Sequence, residues 1–284
     1  MDDQVLAAYL SRIEVTGPVA ADQRTLRELH QAHQRTVPFE NLSIFLGEAI
    51  SLTDADLIDK IVTRRRGGFC YELNGAFALL LEAIGFTVSR VAARVYGKDG
   101  LGPPFDHLAL IVTTAEGSGE SRPLHPPPTT RAGTADGNGP WLADVGFGSH
   151  SDYPLLLDER GEQPDPAGTF QLDGAQHGDI EVAKDGQPQY RIERRPRDLA
   201  EFVPACWWQQ TWPQSHFREG TICSLLAPDG RISLAAGLLI RTSGGSRTEE
   251  QLPTDEAVLA AYRDQFGVEL TRVPPPTPPS APTA

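Results

Sequence analysis

A reactive thiol is the first chemistry that the sequence indicates. Cys70 lies in the run RGGFCYELN of residues 66–74, where two glycines allow a tight turn and an apolar-periodic helix begins directly after them. In the first turn of a helix, free N–H groups and the helix dipole stabilise a thiolate and lower the pKa of the thiol. The position therefore predicts a nucleophile, with a small buried core residue as the alternative. We expect iodoacetamide to label Cys70 well below about pH 8, and faster than the packing cysteines Cys206 and Cys223.

A thiolate nucleophile needs a base, and the base needs a group that orients it. His107 precedes the apolar run LALIV, and Asp144 ends the run WLAD before a glycine-rich turn. Taken singly, the histidine could be a structural hydrogen-bonding residue and the aspartate a turn former. Because neighbouring strands can bring their ends together, the pattern predicts a triad of Cys70, His107 and Asp144 that would work without a metal.

The elements that must position this triad change character along the chain. Residues 1–90 show helical periodicity and predict a helical bundle that carries the nucleophile. Residues 91–203 alternate with a period of two between Gly, Pro and Asp turns, which predicts an antiparallel sheet or barrel. Residues 204–272 combine hairpin patterns with a terminal helix from Thr254 to Phe266. The predicted fold class is therefore α+β.

Two segments and one pair of histidines carry no catalytic pattern. Residues 115–139 are mostly Gly, Ser, Pro and Thr and predict a surface loop inserted in the barrel. Residues 273–284 are dominated by Pro and predict a disordered tail. His30 and His33 stand three apart on a predicted helix without Cys, Asp or Glu at ligand spacing, so we expect a solvated face and no metal site.

The composition excludes several classes of function. The chain of 284 residues carries 38 acidic and 25 basic side chains, for a net charge of −13, whereas nucleic acid and anionic membranes require a basic face. No apolar run approaches the ~20 residues that a membrane span requires, and the acidic start lacks the features of an export signal. Three cysteines are too few for a disulfide scaffold. We expect a cytoplasmic protein that binds neither nucleic acid nor membranes.

Several of these runs together resemble the arylamine N-acetyltransferases. The main runs are RGGFCYE at 66–72, VPFENL at 37–42, His107 before an apolar strand, and DVGFG at 144–148. Shorter ones are LHQAH at 29–33, CSL at 223–225 and PDG at 228–230. The resemblance covers nearly the whole chain apart from the insert and the tail.

The resemblance implies a helical bundle, a central antiparallel β-barrel and a C-terminal α/β lid, around a core like that of the cysteine proteases. It also implies ping-pong acetyl transfer, as in xenobiotic metabolism. Cys70 would attack acetyl-CoA with His107 as general base. The acetyl-thioester would then pass its acetyl group to an arylamine, an arylhydrazine or an N-hydroxyarylamine. A homodimer is left open.

The resemblance also assigns residues around the triad. Phe39, Val95 and Phe147 should line the acceptor pocket, where flat apolar walls suit an aromatic ring; ordinary core packing is the alternative. Glu40 and Arg66 should pair and brace the nucleophile turn, with solvated surface charges as the alternative.

The sequence departs from the family pattern in two ways. Trp208 and Gln214 should meet CoA, but their segment also carries Cys206 and bulky tryptophans. The chain between the histidine and the aspartate of the triad is longer than usual because of the insert at 115–139. This insert either bulges from a strand end or reshapes the mouth of the cleft.

Two other functions stay open. A thiol hydrolase or an amide-forming acyltransferase could use the same triad on another acyl donor. A catalytically silent binding module could keep the fold without the reaction. Acetylation of Cys70 by acetyl-CoA separates the first of these from the leading interpretation, and substitution of Cys70 tests the second.

Overall fold

The computed structural model describes residues 1–114 and 139–279. The N-terminal part of the chain is mainly helical. Its elements are α1 (Asp3–Arg12), α2 (Gln23–Thr36), β1 (Phe39–Glu40), α3 (Leu42–Leu46), α4 (Asp54–Ile58), a π-helical turn (Asp59–Thr63) and α5 (Cys70–Ile84). Local caps set the helix ends, since the Asp22 carboxylate accepts the Thr25 N–H at 2.7 Å and Gly85 ends α5 in the left-handed conformation. The prediction that Cys70 begins a helix is confirmed.

The middle of the chain forms one antiparallel sheet that curves into a nearly closed barrel. Its strands are β2 (Thr87–Gly97), β3 (Gly100–Leu101), β4 (His107–Thr113), β5 (Trp141–Ala143), β6 (Leu155–Leu156), β7 (Gln163–Asp165), β8 (Gly168–Gly174), β9 (Ile180–Lys184) and β10 (Gln187–Pro196). Their order is β6-β5-β4-β2-β10-β9-β8-β7, with β3 paired to β2. The edge strands are joined by a side chain, because the Gln163 amide donates to the Leu156 carbonyl at 2.9 Å and accepts its N–H at 2.8 Å.

A second sheet follows the barrel and includes a strand from the helical part. Its elements after the barrel are α6 (Val203–Thr211), β11 (Ile222–Ala227), β12 (Gly230–Ala235), β13 (Leu238–Ser243), β14 (Ser246–Gln251) and α7 (Asp255–Phe266). The strand order is β1-β11-β12-β13-β14. The predicted terminal helix is confirmed, with the Thr254 hydroxyl accepting the Ala257 N–H as its cap. Because β1 pairs with β11, the units predicted at 1–90 and 204–272 share one sheet.

Helix α5 positions the candidate nucleophile because it is buried between the other helices and the barrel. Phe77, Leu80 and Leu81 have no exposed surface and belong to one apolar cluster with Leu108 and Leu110 of β4. Burying an apolar side chain of this size stabilises the fold by roughly 1.5–3 kcal/mol. The packing therefore holds the first turn of α5 near the start of β4.

The predicted disordered tail is wrong for residues 273–279. Pro274 and Pro278 are buried, and Arg218 donates a hydrogen bond to the Pro279 carbonyl at 3.2 Å. Extended Pro-rich chain needs few internal hydrogen bonds, so it can pack through its rings. Residues 280–284 and all but the last residue of the predicted insert 115–139 lie outside the described residues.

Between residues 1–114 and 139–279, no helix combines the length and the apolar character that a membrane span needs.

Candidate active site

The turn before Cys70 lies against strand β1, and a side chain would not fit in it. The Glu40 N–H donates to the Gly68 carbonyl at 2.8 Å. A Cβ atom at Gly67 would collide with the carbonyl oxygen of Pro38. The double glycine therefore allows the start of α5 and strand β1 to approach closely.

Two buried ion pairs brace the same turn. Arg66 Nη2 lies 2.9 Å from Glu40 Oε1, so the predicted pairing of these residues is confirmed. Lys60 Nζ lies 2.6 Å from Glu72 Oε1, and Glu72 also accepts the Phe69 N–H at 3.2 Å, which caps α5. Removing one partner of a buried pair costs about 3–5 kcal/mol. The backbone that carries the sulfur is therefore fixed on both sides.

Cys70, His107 and Asp144 form a hydrogen-bonded chain. His107 Nε2 lies 2.7 Å from Asp144 Oδ2, and because an ionised carboxylate only accepts, this nitrogen carries the proton. The imidazole also interacts with the Cys70 thiol, and each of these two groups affects the pKa of the other. All three residues are at most 2% exposed. The structure thus brings together the three residues predicted as a triad.

The Asp144 carboxylate accepts four hydrogen bonds from protein groups. In addition to His107, the Asn74 amide and the Gly146 N–H donate to Oδ1 at 2.9 Å and 3.0 Å, and the Tyr190 hydroxyl donates to Oδ2 at 3.0 Å. Burial alone would raise the pKa of Asp144, but the charge and the hydrogen bond of His107 hold it well below its usual range. The carboxylate therefore stays ionised and fixes the orientation of the imidazole.

The glycine that follows Asp144 by two positions contacts the nucleophile helix. A Cβ atom at Gly146 would lie 2.8 Å from the Cα atom of Cys70 and 2.7 Å from Asn74 Nδ2. Carbon atoms in contact normally stay at least 3.5 Å apart, as a rough value. At position 146 the chain therefore approaches α5 too closely to leave room for a side chain.

The expectation that His30 and His33 lie on a solvated face is wrong. Neither has exposed surface, because both rings pack against Phe77 of α5. His30 Nε2 accepts the Asp144 N–H at 3.1 Å, and burial lowers the pKa of His30 to about 4. His30 is therefore a neutral acceptor that holds the backbone of Asp144, a role that its spacing in the sequence did not indicate.

A second histidine that sequence reasoning missed reaches Asp144 through a tyrosine. His150 Nε2 lies 2.9 Å from the Tyr190 hydroxyl. Since Tyr190 gives its one hydroxyl proton to Asp144, His150 must donate to the tyrosine oxygen. Burial lowers the pKa of His150 to about 3, which keeps it neutral. His150 stands in a loop without periodicity, so no local signal could have placed it here.

The protonation of Cys70 and His107 differs from the expectation. Burial raises the pKa of the Cys70 thiol, and the hydrogen bond and positive charge of His107 oppose this shift only in part. Burial lowers the pKa of His107, but the charge and hydrogen bond of Asp144 outweigh it and raise the pKa to about 10. The predicted lowering of the thiol pKa is wrong, because desolvation exceeds the effect of the helix start. The charge of Asp144 and the contact with the Cys70 sulfur both raise the pKa of His107, so a proton that passes from the sulfur to the imidazole is stabilised there.

Alkylation of Cys70 by iodoacetamide should therefore still be rising with pH above neutrality. A raised pKa keeps the thiol protonated at neutral pH, so the reactive thiolate accumulates only as the pH increases further. Cys206 and Cys223 should react more slowly at every pH, because burial raises the pKa of both thiols without an imidazole partner. Timed labelling with peptide mass spectrometry gives the three rates. A Cys70 rate that is already constant below neutral pH would contradict the raised pKa.

A cavity of about 560 Å³ opens on Cys70. Phe39, Val95 and Phe147, which were predicted to line an acceptor pocket, all lie in its wall beside His107. The Phe147 ring meets the His107 ring edge-on, with 5.3 Å between the ring centroids. An aromatic wall of this kind suits a planar apolar ligand next to the sulfur.

The two residues predicted to contact CoA lie outside the wall of this cavity. Trp208 of α6 is partly exposed and stacks on Trp212, with 6.3 Å between the ring centroids. Gln214 is exposed. Their contact with CoA stays a prediction.

The polar side chains of the site form hydrogen bonds with one another. Within the described ranges 1–114 and 139–279, no three His, Cys, Asp or Glu side chains converge as metal ligands would. The three cysteines are free and buried. The chemistry available to the site is that of a thiol, an imidazole and a carboxylate.

The chain is similar to known proteins over most of its length. A family model described as N-acetyltransferase matches residues 22–118 and 133–273. Arylamine N-acetyltransferase of Escherichia coli (strain K12) is 31% identical, over 93% of this chain and 89% of its own length. The solved arylamine N-acetyltransferase of M. smegmatis is 31% identical with a TM-score of 0.80, over 95% of this chain and 93% of its own. The solved arylamine N-acetyltransferase of Mycobacterium marinum, in complex with CoA, is 30% identical with a TM-score of 0.78, over 93% of this chain and 92% of its own. The chain belongs to the arylamine N-acetyltransferase family.

Proposed function

We propose that this protein transfers the acetyl group of acetyl-CoA to an arylamine, an arylhydrazine or an N-hydroxyarylamine by a ping-pong mechanism. The observation that carries the proposal is the buried hydrogen-bonded chain from Cys70 through His107 to Asp144, which opens on an aromatic cavity. The names of the relatives supply the substrate class, and the M. marinum relative binds CoA. No other described group in this cavity offers a nucleophile of comparable strength.

In the first half-reaction the Cys70 sulfur attacks the thioester carbonyl of acetyl-CoA. His107 takes the thiol proton as the sulfur attacks, and the tetrahedral intermediate collapses by breaking the bond between the carbonyl carbon and the CoA sulfur. His107 then gives its proton to the departing CoA thiolate. The products are acetyl-Cys70 and free CoA, with His107 neutral. Asp144 stabilises the positive charge that His107 carries in between.

In the second half-reaction the neutral imidazole acts as a base toward the acceptor. The amine nitrogen attacks the acetyl-thioester, His107 removes the proton that the nitrogen must lose, and the Cys70 sulfur leaves. A weakly basic aromatic amine is largely uncharged at neutral pH, so its lone pair is available without prior deprotonation. Phe39, Val95 and Phe147 supply the aromatic surface on which its ring would lie.

Several finer features belong to the same proposal. The part from 204 to 272 would cover the cleft as a lid, with Trp208 and Gln214 toward CoA. Cys70 lies on a helix and His107 lies on a barrel strand. This arrangement would correspond to the core of the cysteine proteases. The protein would act in the cytoplasm on foreign aromatic amines, as a monomer or a homodimer.

The test follows the two half-reactions separately. Incubation with acetyl-CoA alone should add the mass of one acetyl group to the Cys70 peptide and release one equivalent of free CoA. Addition of an aniline or an aryl hydrazide should then remove the acetyl group and yield the acetylated amine. As a matched control, Cys206→Ala should be acetylated like the wild type, since Cys206 does not line the cavity at Cys70. An unmodified Cys70 together with hydrolysis of an ester or a peptide would favour a thiol hydrolase instead.

A further inference from the structure

The cavity at the nucleophile is lined by acidic side chains. Asp106 and Glu219 both lie in its wall with Cys70 and His107. Among the described residues of this wall, none is Lys or Arg. Burial lowers the pKa of His216, and the charges of Asp106 and Glu219 oppose this only in part, so His216 is uncharged at neutral pH. The wall therefore presents negative charge to whatever enters.

Asp106 is held in the wall by its backbone and by its side chain. The preceding residue, Phe105, has a φ of +61°, a left-handed conformation that costs roughly 1–3 kcal/mol for a residue other than glycine. The Tyr71 hydroxyl holds this turn by donating to the Phe105 carbonyl at 2.8 Å. Gln209 donates to Asp106 Oδ1 at 2.8 Å and is itself fixed by the Ser215 hydroxyl at 2.6 Å. Burial raises the pKa of Asp106, and the hydrogen bond from Gln209 opposes this rise by stabilising the ionised carboxylate.

The positive charge of the triad does not offset this carboxylate. The imidazolium of His107 is paired with Asp144 at 2.7 Å. In the acetylated enzyme any positive charge on His107 remains compensated by Asp144. An acceptor that enters at this stage meets Asp106 and, at the exposed rim, Glu219.

We infer that Asp106, assisted by Glu219, selects the acceptor by charge, so that neutral or cationic aromatic amines and hydrazines are accepted and amines with a ring carboxylate are rejected. This inference rests on the proposed function, because it concerns the acceptor of that reaction. Like charges repel more strongly in a partly desolvated cavity than in water. A hydrazine or a hydrazide also carries an N–H beside the attacking nitrogen, which a carboxylate can accept.

The test is the discharge of preformed acetyl-enzyme by a matched pair of acceptors, 4-aminobenzoate and 4-aminobenzamide. The measured quantity is the ratio of their second-order discharge rates, because comparing this ratio between variants cancels the different basicities of the two amines. Asp106→Asn should raise the ratio in favour of the carboxylate by about five- to ten-fold. Asp173→Asn is the matched control, since Asp173 is exposed on β8 and its loss changes the net charge equally. The control ratio should equal that of the wild type.

Each other outcome is decisive as well. An unchanged ratio in Asp106→Asn would overturn the inference. Should that variant fail to fold, Glu219→Gln on the exposed rim should shift the ratio in the same direction by about two-fold, and no shift there would overturn it. Acetylation of Cys70 is measured before any acceptor is added. A wild type that is not acetylated therefore contradicts the proposed function, whereas an acetylated enzyme without discrimination contradicts only the inference.

Discussion

Replacing Cys70 with serine is expected to abolish acetyl transfer, with a loss of at least about 10⁴-fold in the rate. His107 can take the proton of the thiol, because Asp144 and the neighbouring sulfur raise the pKa of the imidazole. A serine hydroxyl is a far weaker acid, so the same imidazole cannot generate the alkoxide at a useful rate. Steady-state release of free CoA in the presence of an aniline measures the loss.

The substitution should leave the fold intact, which makes the result interpretable. Cys70 is 2% exposed and the serine side chain differs from it by one atom, so little packing is lost. Thermal unfolding of Cys70→Ser should therefore resemble that of the wild type. A stable Cys70→Ser protein that still transfers acetyl groups would show that the sulfur is not the nucleophile.

Replacing Asp144 with asparagine is expected to reduce the rate by about 10³- to 10⁴-fold. The carboxylate accepts from His107 and Tyr190 at Oδ2, and from Asn74 and the Gly146 N–H at Oδ1. Asparagine replaces one of the two carboxylate oxygens with an NH₂ group. In either orientation of the amide, this NH₂ group faces groups that themselves donate hydrogen bonds. The imidazole therefore loses the partner that fixes its tautomer and raises its pKa.

Two measurements separate this catalytic effect from simple destabilisation. Because the charge of Asp144 raises the pKa of His107, the imidazole of Asp144→Asn should lose its proton at lower pH than about pH 10, which proton NMR can follow. Each unsatisfied buried donor also costs about 1–3 kcal/mol of unfolding free energy. Tyr190→Phe removes one of the donors and keeps the charge, so it should retain most of the His107 pKa shift. An unaltered imidazole titration in folded Asp144→Asn would argue against the assigned role.

Local sequence patterns are sufficient to locate the elements that carry the triad. Asp22 and Thr254 cap the N-terminal ends of α2 and α7, and the left-handed Gly85 ends α5, and residue types of this kind are local signals for helix ends. The strand that starts at His107 has an uninterrupted apolar run, which is typical of a strand buried on both faces. For such elements the sequence within a few positions determines the backbone.

Other features depend on contacts between distant residues and leave no local pattern. Strand β14, Ser246–Gln251, is exposed at every position and has no apolar alternation, so only its pairing with β13 defines it. His30 contacts the backbone of Asp144 from 114 positions away in sequence, and His150 reaches the Asp144 carboxylate only through Tyr190, which lies 40 positions from it. The raised pKa of Cys70 likewise follows from the burial of the thiol in the complete fold. The residues around the helix start do not indicate how deeply the thiol is buried.

Gly146 limits how this scaffold can be re-engineered. The barrel end and helix α5 fit together there only because no side chain intervenes, so even an alanine would move the backbone of Cys70. Attempts to admit bulkier acyl groups or larger acceptors by reshaping this side would displace the sulfur itself. Extra room has to come from other side chains of the cavity wall, such as Val95 or Phe147, which can be shortened without adding an atom beside Cys70.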